Sequence, residues 1–317
     1  MRFNQLRDFL AVVERGSLRA AARHLELAQP TLTRSIHELE RELGATLFER
    51  QSKGMTLTPT GEILRRRAMV VVGEMRRIKE EIDQLRGESA GRVSVCLSSV
   101  PHIAMLPYAL GLFRQRYPRV HLDVNDGLFP GAEAALKEGS LDCYFGPMPT
   151  SVAGHFVVEK LMDNTRVIMC RNGHPLQDAK TLAELVDADW LGTSITPRAE
   201  DELGPLFASH GLPAPRIVMQ AHSALTYITA AIYSDLLLMV PRQWIRFELT
   251  RHTLRRIEVA ETLAAPPVCL VTRAGLPLTP AAEYFCDMMR RAAEHARRDG
   301  DAGTPPFPAP YPAADKI

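Results

Sequence analysis

Residues 16–44 read GSLRAAARHLELAQPTLTRSIHELERELG, and their pattern decides the N-terminal fold. Ser17 can cap a short helix running through alanines 20, 21 and 22 to Leu25, because its hydroxyl accepts from an otherwise unpaired first-turn amide. After a break at Glu26–Gln29, Pro30 suits the first turn of a new helix, where its missing N–H costs nothing. In that helix Leu32, Ile36, Leu39 and Leu43 recur at helical spacing and mark a buried stripe, and Gly44 stops it. The other face carries Thr31, Thr33, Arg34 and His37, short hydroxyls and a fork-shaped cation standing away from the core.

Upstream, Leu6, Leu10 and Val13 predict a helix that Asn4 would cap and Gly16 would end. Downstream, Phe48–Pro59 reads as a hairpin or wing around Ser52, Lys53 and Gly54, carrying Arg50 and Lys53 where phosphates would pass. Helix, tight turn and a second helix exposing polar groups at its start fit a helix-turn-helix. They also fit a small helical bundle with solvated charges; the wing favours the first reading.

Thr58 and Pro59 open another helix. Its apolar positions Leu64, Ala68, Val71, Met75, Ile78, Ile82 and Leu85 step by alternating fours and threes, a heptad seam. The seam predicts a helix of roughly 27 residues, about 40 Å long, lying against a partner helix and favouring a dimer. Gly87–Gly91 would be a hinge. From Arg92, apolar runs at Val93–Leu97, Val120–Val124, Leu141–Phe145, Val167–Cys170, Ile217–Met219, Leu236–Met239 and Val268–Val271 alternate with helical stretches. That alternation predicts an α/β unit with parallel sheets, divisible into two lobes with a ligand cleft between them.

The expected domains are therefore 1–58, a helix-turn-helix with a wing; 59–90, the long helix and hinge; and 91–298, the two-lobed α/β unit. Lobe 1 would hold about 91–163 and 266–298, and lobe 2 about 164–265, with crossings near Leu161–Thr165 and Glu261–Pro267. Prolines, Gly and Ala crowd 299–317, which reads as a disordered tail.

The 317 residues exceed what one core usually organises, and 46% hydrophobic with 24% charged residues fits a globular chain. No apolar run is long enough to span a bilayer and no secretion signal opens the chain, so a cytoplasmic protein without membrane contact is expected. Residues 1–90 hold 16 Lys and Arg against 13 Asp and Glu, a mild positive bias that permits a nucleic-acid partner without establishing one. The five cysteines are scattered without a Cys-x-x-Cys pair and read as buried apolar residues. No cluster at metal-ligand spacing occurs, so neither metal nor cofactor is expected. The phosphate-cradling glycine loops, His-Glu-x-x-His and Gly-x-Ser-x-Gly are absent too, which leaves an enzyme reading with little support.

The strings Gly16–Ala22, Gln29-Pro30-Thr31-Leu32-Thr33-Arg34, Leu39-Glu40, Leu43-Gly44, Leu47-Phe48-Glu49-Arg50 and Leu57-Thr58 resemble the LysR-type transcriptional regulators. The resemblance implies an all-α winged helix-turn-helix, a long linker helix for dimerisation, and a two-lobed α/β effector domain like a periplasmic binding protein. It also implies homotetramers on double-stranded promoter DNA and control by a small-molecule inducer. It places Gln29, Pro30, Thr31, Thr33 and Arg34 on or beside the recognition helix, with His37 on its exposed face and Arg50 and Lys53 in the wing. Arg34 has the donor geometry for a guanine edge, and the threonines can meet a base, a phosphate or a thymine methyl. Ala28 departs from the family, which usually places serine there; losing a helix cap costs roughly 0.5–2 kcal/mol.

Shorter fragments, Gln84–Gly87, Asp126–Pro130, Ser234–Leu237 and Leu276–Pro280, resemble a subgroup regulating toluenesulfonate degradation, which implies an aromatic sulfonate or carboxylate as effector. By the family resemblance the inducer would meet Ser98, Ser99, His102, Phe129 and Pro147 from lobe 1 and Thr193, Ser194 and Ser223 from lobe 2. Ser98 and Ser99 precede a helix whose free amides favour a small anion, although ordinary helix capping explains such serines equally well. His102 and His222 can each donate to a carboxylate or sulfonate; His155 is a weaker candidate. The alternatives to a regulator are an α/β enzyme and a small-molecule-binding corepressor whose helical segment is an interaction module.

Overall fold

The computed structural model describes residues 1–51, 54–86, 90–149, 154–193, 200–221 and 223–299. Ser52 and Lys53, most of the hinge, Ser194, His222 and nearly all of the tail at 299–317 lie outside the described residues, as do the side chains of Arg50 and Thr193.

The first unit holds α1 (Phe3–Arg15), α2 (Leu18–His24), α3 (Gln29–Leu43) and a hairpin of β1 (Phe48–Gln51) and β2 (Gly54–Leu57). Asn4 is not the cap of α1: Arg2 is, and its amide donates to the Gln5 side chain at 2.8 Å, so a longer side chain one turn on does the capping. Ser17 caps α2 as expected, its Oγ accepting from the Ala20 amide at 3.2 Å. Gly16 and Gly44 end α1 and α3 in the left-handed conformation that non-glycine residues avoid. Leu32, Ile36 and Leu39 of α3 bury against Leu6, Phe9 and Val12 of α1 and Ala21 and Ala22 of α2. The hairpin docks on the same body, with the Met55 amide donating to the Gly16 carbonyl at 2.9 Å. A Cβ at Gly54 would sit 2.7 Å from that carbonyl oxygen, so only glycine allows this approach.

Then α4 (Pro59–Leu85) runs 27 residues from a Thr58 cap. Its heptad seam is used in two ways. Leu64 and Ala68 pack on the N-terminal core, whereas Val71, Met75, Ile78, Ile82 and Leu85 stand exposed in the isolated chain.

The rest is α/β, with β3 (Ala90–Leu97), α5 (Leu106–Arg116), β4 (Arg119–Asp126), α6 (Phe129–Glu138), β5 (Cys143–Pro147), β6 (Phe156–Arg171), β7 (Asp189–Thr193), α7 (Glu200–Ser209), β8 (Arg216–Ala221), α8 (Ala224–Ile232), β9 (Leu237–Pro241), β10 (Leu254–Ile257), β11 (Ala264–Arg273) and α9 (Pro280–Asp299). The strands follow the order β4-β3-β5-β11-β6-β9-β7-β8, with β10 beside β6.

β6 belongs to both halves: Thr165 pairs with Ala264 of β11, and the next residue, Arg166, pairs with Pro241 of β9. The sheets are mixed rather than parallel. β3, β4 and β5 are mutually parallel, as are β7, β8 and β9, but β6, β10 and β11 run antiparallel to their neighbours. The reason is the crossing itself, since one strand leaves each half-sheet for the other and returns against the local direction. Alternate residues fill opposite faces. In lobe 1, Val95 and Phe145 pack with Phe113 and Phe285 on one face, while Cys96 and Tyr144 pack with Phe129 and Leu136 on the other. In lobe 2, Cys170 and Trp190 pack with Phe207, and Met169 and Leu191 with Tyr227 and Trp244.

Candidate nucleic-acid interface and effector cleft

The stripe that buries α3 leaves its opposite side in solvent, and Gln29, Pro30, Thr31, Arg34 and His37 are all exposed there. Thr33, half-buried, donates its hydroxyl to the Gln29 carbonyl at 2.9 Å, which leaves its oxygen lone pairs and its methyl for a partner. Arg34 has 82% of its side chain exposed, and its Nε donates to Glu38 at 2.9 Å. That contact uses the inner nitrogen and leaves the two terminal amino groups available to another acceptor. The Arg34 hydrogen bond holds the Glu38 carboxyl below the usual carboxylate range. His37 Nδ1 lies 3.4 Å from Glu40.

Two contacts fix the hairpin relative to α3. Glu40 accepts from the Leu47 amide at 2.8 Å, and Thr58 donates to the Thr46 carbonyl at 2.8 Å while accepting from the Gly61 amide. Exposed polar groups at the start of one helix, flanked by a braced hairpin, form a convex ridge of the kind that enters a major groove. Ala28 occupies the cap position of α3 and makes no side-chain capping bond.

Between the lobes lies a cleft of about 450 Å³. Of the expected effector contacts, Ser98, Ser99, Pro147 and Ser223 line it. Phe129 does not, although its neighbours Leu128 and Pro130 do: its ring is buried in the lobe 1 core, edge-on to Tyr144 and Phe156 at 5.7 and 5.6 Å. His102 does not line it either, because one helical turn brings its Nδ1 to 3.0 Å from the Ser98 carbonyl. The backbone between Ser98 and α5 makes a π-turn at Pro101–Met105, a form of helix often found where a binding site distorts the chain.

The cleft also gathers residues that sequence reasoning missed, among them Asp126, Asn164, Arg166, Tyr227 and Trp244. Asn164 and Arg166 flank the strand crossing, so the predicted crossing was the available signal for them. Trp244 and Tyr227 had no such marker, their rings meeting edge-on at 5.8 Å only in the folded lobe. Two lining residues hold buried donors without a partner among the described residues, the Ser98 hydroxyl and the Trp244 indole N–H. Such groups are costly to bury unless something accepts from them.

Residues 3–62 match the family model described as "Bacterial regulatory helix-turn-helix protein, lysR family", and residues 86–294 match the "LysR substrate binding domain". The chain is 28% identical over 312 residues to the "SDS degradation transcriptional activation protein" of a Pseudomonas species, an alignment covering 96% of this chain and 98% of that protein. It is 23% identical to the HTH-type transcriptional regulator GbpR of Azospirillum brasilense, covering 94% of this chain and 88% of the relative. Among solved structures, the LysR family transcriptional regulator CbnR superposes with a TM-score of 0.68 at 22% identity, over 92% of this chain and 99% of that one. A full-length OxyR variant from Pseudomonas aeruginosa gives 0.69 at 19% identity, over 92% and 95%. With a regulatory helix-turn-helix ahead of a substrate-binding domain, the chain belongs to the LysR family of DNA-binding transcriptional regulators, which are not enzymes.

Proposed function

We propose that the exposed start of α3 reads the major groove of promoter DNA, with Arg34 on a guanine edge, Thr31 and Thr33 on bases or phosphate, Gln29, Pro30 and His37 beside them, and Arg50 and Lys53 of the wing on the flanking backbone. The observation that carries this reading is the division of α3 into a buried apolar stripe and an exposed polar face ending in an outward guanidinium. The exposed half of the α4 seam pairs with a second copy, and dimers assemble into tetramers. No helix among the described residues is long and apolar enough to cross a membrane, and the protein works in the cytoplasm, where its DNA is.

The effector is a small organic anion with an apolar body. Ser98 and Trp244 supply donors, Ser99, Pro147 and Ser223 complete the wall, and Arg166 brings positive charge. Thr193 and Ser194 belong to the same proposal. The relative named for SDS degradation supports an alkyl sulfate, and the resemblance of short fragments to the toluenesulfonate-degradation subgroup supports an aryl sulfonate. An inducer acts only through different affinities for the open and closed arrangements, and so shifts their populations.

Binding to the chain's own upstream promoter fragment, measured as salt is raised, tests the DNA reading, since a DNA reader loses affinity steeply. Absence of binding in dilute buffer, with or without metabolites, would overturn the assignment of α3 to the groove. For the cleft, p-toluenesulfonate, benzoate and short alkyl sulfates should raise the unfolding midpoint while benzyl alcohol does not. Equal shifts for charged and neutral compounds would discard the anion assignment.

A further inference from the structure

Asp126 ends β4 and lines the cleft as a carboxylate, a group that only accepts hydrogen bonds. Among the described residues no donor or cation is engaged with it. Leu97 of β3 is its register partner, and the Gly127 amide donates to the Leu97 carbonyl at 3.1 Å. The carboxylate therefore stands on the chain next to Ser98, roughly 6 Å away at the backbone. Ser98 is only 4% exposed, and its main chain is fully engaged: the amide donates to the Phe145 carbonyl at 2.9 Å, and the carbonyl accepts from the His102 amide at 3.1 Å. Its hydroxyl, with one proton to give and lone pairs to offer, has no partner among the described residues.

The second orphan donor belongs to lobe 2. Trp244 lies on the turn Arg242–Arg246, which leaves β9 at Pro241, the register partner of Arg166 on β6. Strands β5 and β11 separate β3 from β6, so the side holding Arg166 and Trp244 is three strand steps, roughly 14 Å of sheet, from the side holding Ser98 and Asp126. The walls approach one another where Ile103, of the π-turn after Ser98, buries in the lobe 2 cluster that contains Trp244 and Tyr227.

The two sides ask for different chemistry. An indole N–H and a guanidinium favour a charged acceptor, whereas an anion set beside Asp126 would meet a like charge. A hydroxyl suits the Ser98 and Asp126 side on both counts, since its oxygen accepts from Ser98 and its proton goes to the Asp126 carboxylate. An ammonium would satisfy Asp126 and leave Ser98 without an acceptor.

We propose that the effector is a hydroxylated organic anion, its carboxylate or sulfonate set toward Arg166 and Trp244 and its hydroxyl bridging Ser98 and Asp126, which makes Asp126 the residue that selects for the hydroxyl. The proposal rests on the anion reading of the cleft given above and assigns chemistry to its two ends.

Isothermal titration of the full-length chain with meta- and para-hydroxybenzoate and with the matching fluorobenzoates is the test, because fluorine fills nearly the same space and has no proton to give. In the wild type one of the hydroxybenzoates should bind roughly tenfold more tightly than its fluoro counterpart. Asp126→Ala should bring that ratio to within about twofold, and Asp126→Asn, which keeps the shape and removes the charge, should lower it likewise if the alanine variant does not fold. A wild-type ratio near one at both ring positions, or one that neither substitution lowers, overturns the proposal. Tighter binding of para-(aminomethyl)benzoate than of either hydroxybenzoate also overturns it, since Asp126 would then hold an ammonium. Benzoate and p-toluenesulfonate are titrated alongside: binding of these without any preference for a hydroxyl removes the Asp126 assignment alone, whereas no binding by any of the anions overturns the anion reading and this proposal with it.

Discussion

The Ser35 hydroxyl, on α3, donates to the Asp8 carboxylate, on α1, across 2.7 Å. Asp8 is only 5% exposed, and its other oxygen accepts from Arg7 at 3.2 Å. A charged acceptor inside a small helical core is costly unless satisfied, and here it ties the exposed helix to the one behind it.

Replacing Asp8 with Ala should therefore destabilise the N-terminal unit by about 1–3 kcal/mol and leave the Ser35 hydroxyl without its partner. Because the loss tilts α3 as a whole, affinity should fall similarly for operator and unrelated DNA. Chemical denaturation gives the first quantity and paired binding titrations the second. Loss of discrimination without loss of stability would assign Asp8 a direct contact instead.

Arg34 makes the contrasting case. Its side chain supports no core contact, so Arg34→Ala should leave the unfolding midpoint unchanged. Discrimination between operator and single-base variants should fall by roughly 1–3 kcal/mol if the guanidinium is bidentate on a guanine. A binding-site selection that returns the wild-type preference at every position would remove Arg34 from base reading.

The open half of the α4 seam predicts oligomerisation. Val71, Met75, Ile78, Ile82 and Leu85 are 45–75% exposed in the single chain, a continuous apolar stripe that a second helix would cover. Val71→Asp with Ile78→Asp should convert the assembly to monomers in sedimentation velocity. An intact dimer would place the contact elsewhere on the molecule.

The sequence makes these elements legible wherever the determining contacts are local. Leu32, Ile36 and Leu39 announce α3, and the Thr58-Pro59 pair marks where α4 begins. Asn4 misleads because a short polar residue is the usual cap, whereas Arg2 is capped from Gln5 by a reach that spacing alone does not single out. β6 runs from Phe156 to Arg171, but only Val167–Cys170 reads as a strand, because in its first half apolar and charged residues come in pairs, Val157-Val158, Glu159-Lys160 and Leu161-Met162, and so break the alternation that marks a half-buried strand. β7 escapes notice for a different reason, since Asp189 and Gly192 disguise a five-residue strand whose Trp190 is wholly buried. The cleft is least legible of all. Its wall joins Asp126, Asn164, Arg166, Gln220 and Trp244 through strand crossings, so no local spacing connects them, and His102 and Phe129 fall nearby in sequence while their side chains are held elsewhere.

Thiol chemistry supplies the last prediction. Burial pushes the Cys96 and Cys170 thiols up to about 11 and Cys269 up to about 12. Cys143 and Cys286 lie 3.7 Å apart in the lobe 1 core, and burial holds Cys143 well above its ordinary value. Cys96, Cys143, Cys170 and Cys269 should therefore be protonated at pH 7.5, and all five cysteines, being buried, should be inert to a thiolate-specific reagent such as DTNB until the protein unfolds. The sign of the linked stability follows. In the folded chain Cys96, Cys170 and Cys269 keep their protons to a higher pH than in the unfolded chain, so their contribution is fully present below about 9 and is lost as pH rises toward 11–12. Denaturation midpoints taken across that alkaline range should fall more steeply for the wild type than for Cys269→Ala. Equal slopes would mean that other groups, not this thiol, govern alkaline unfolding.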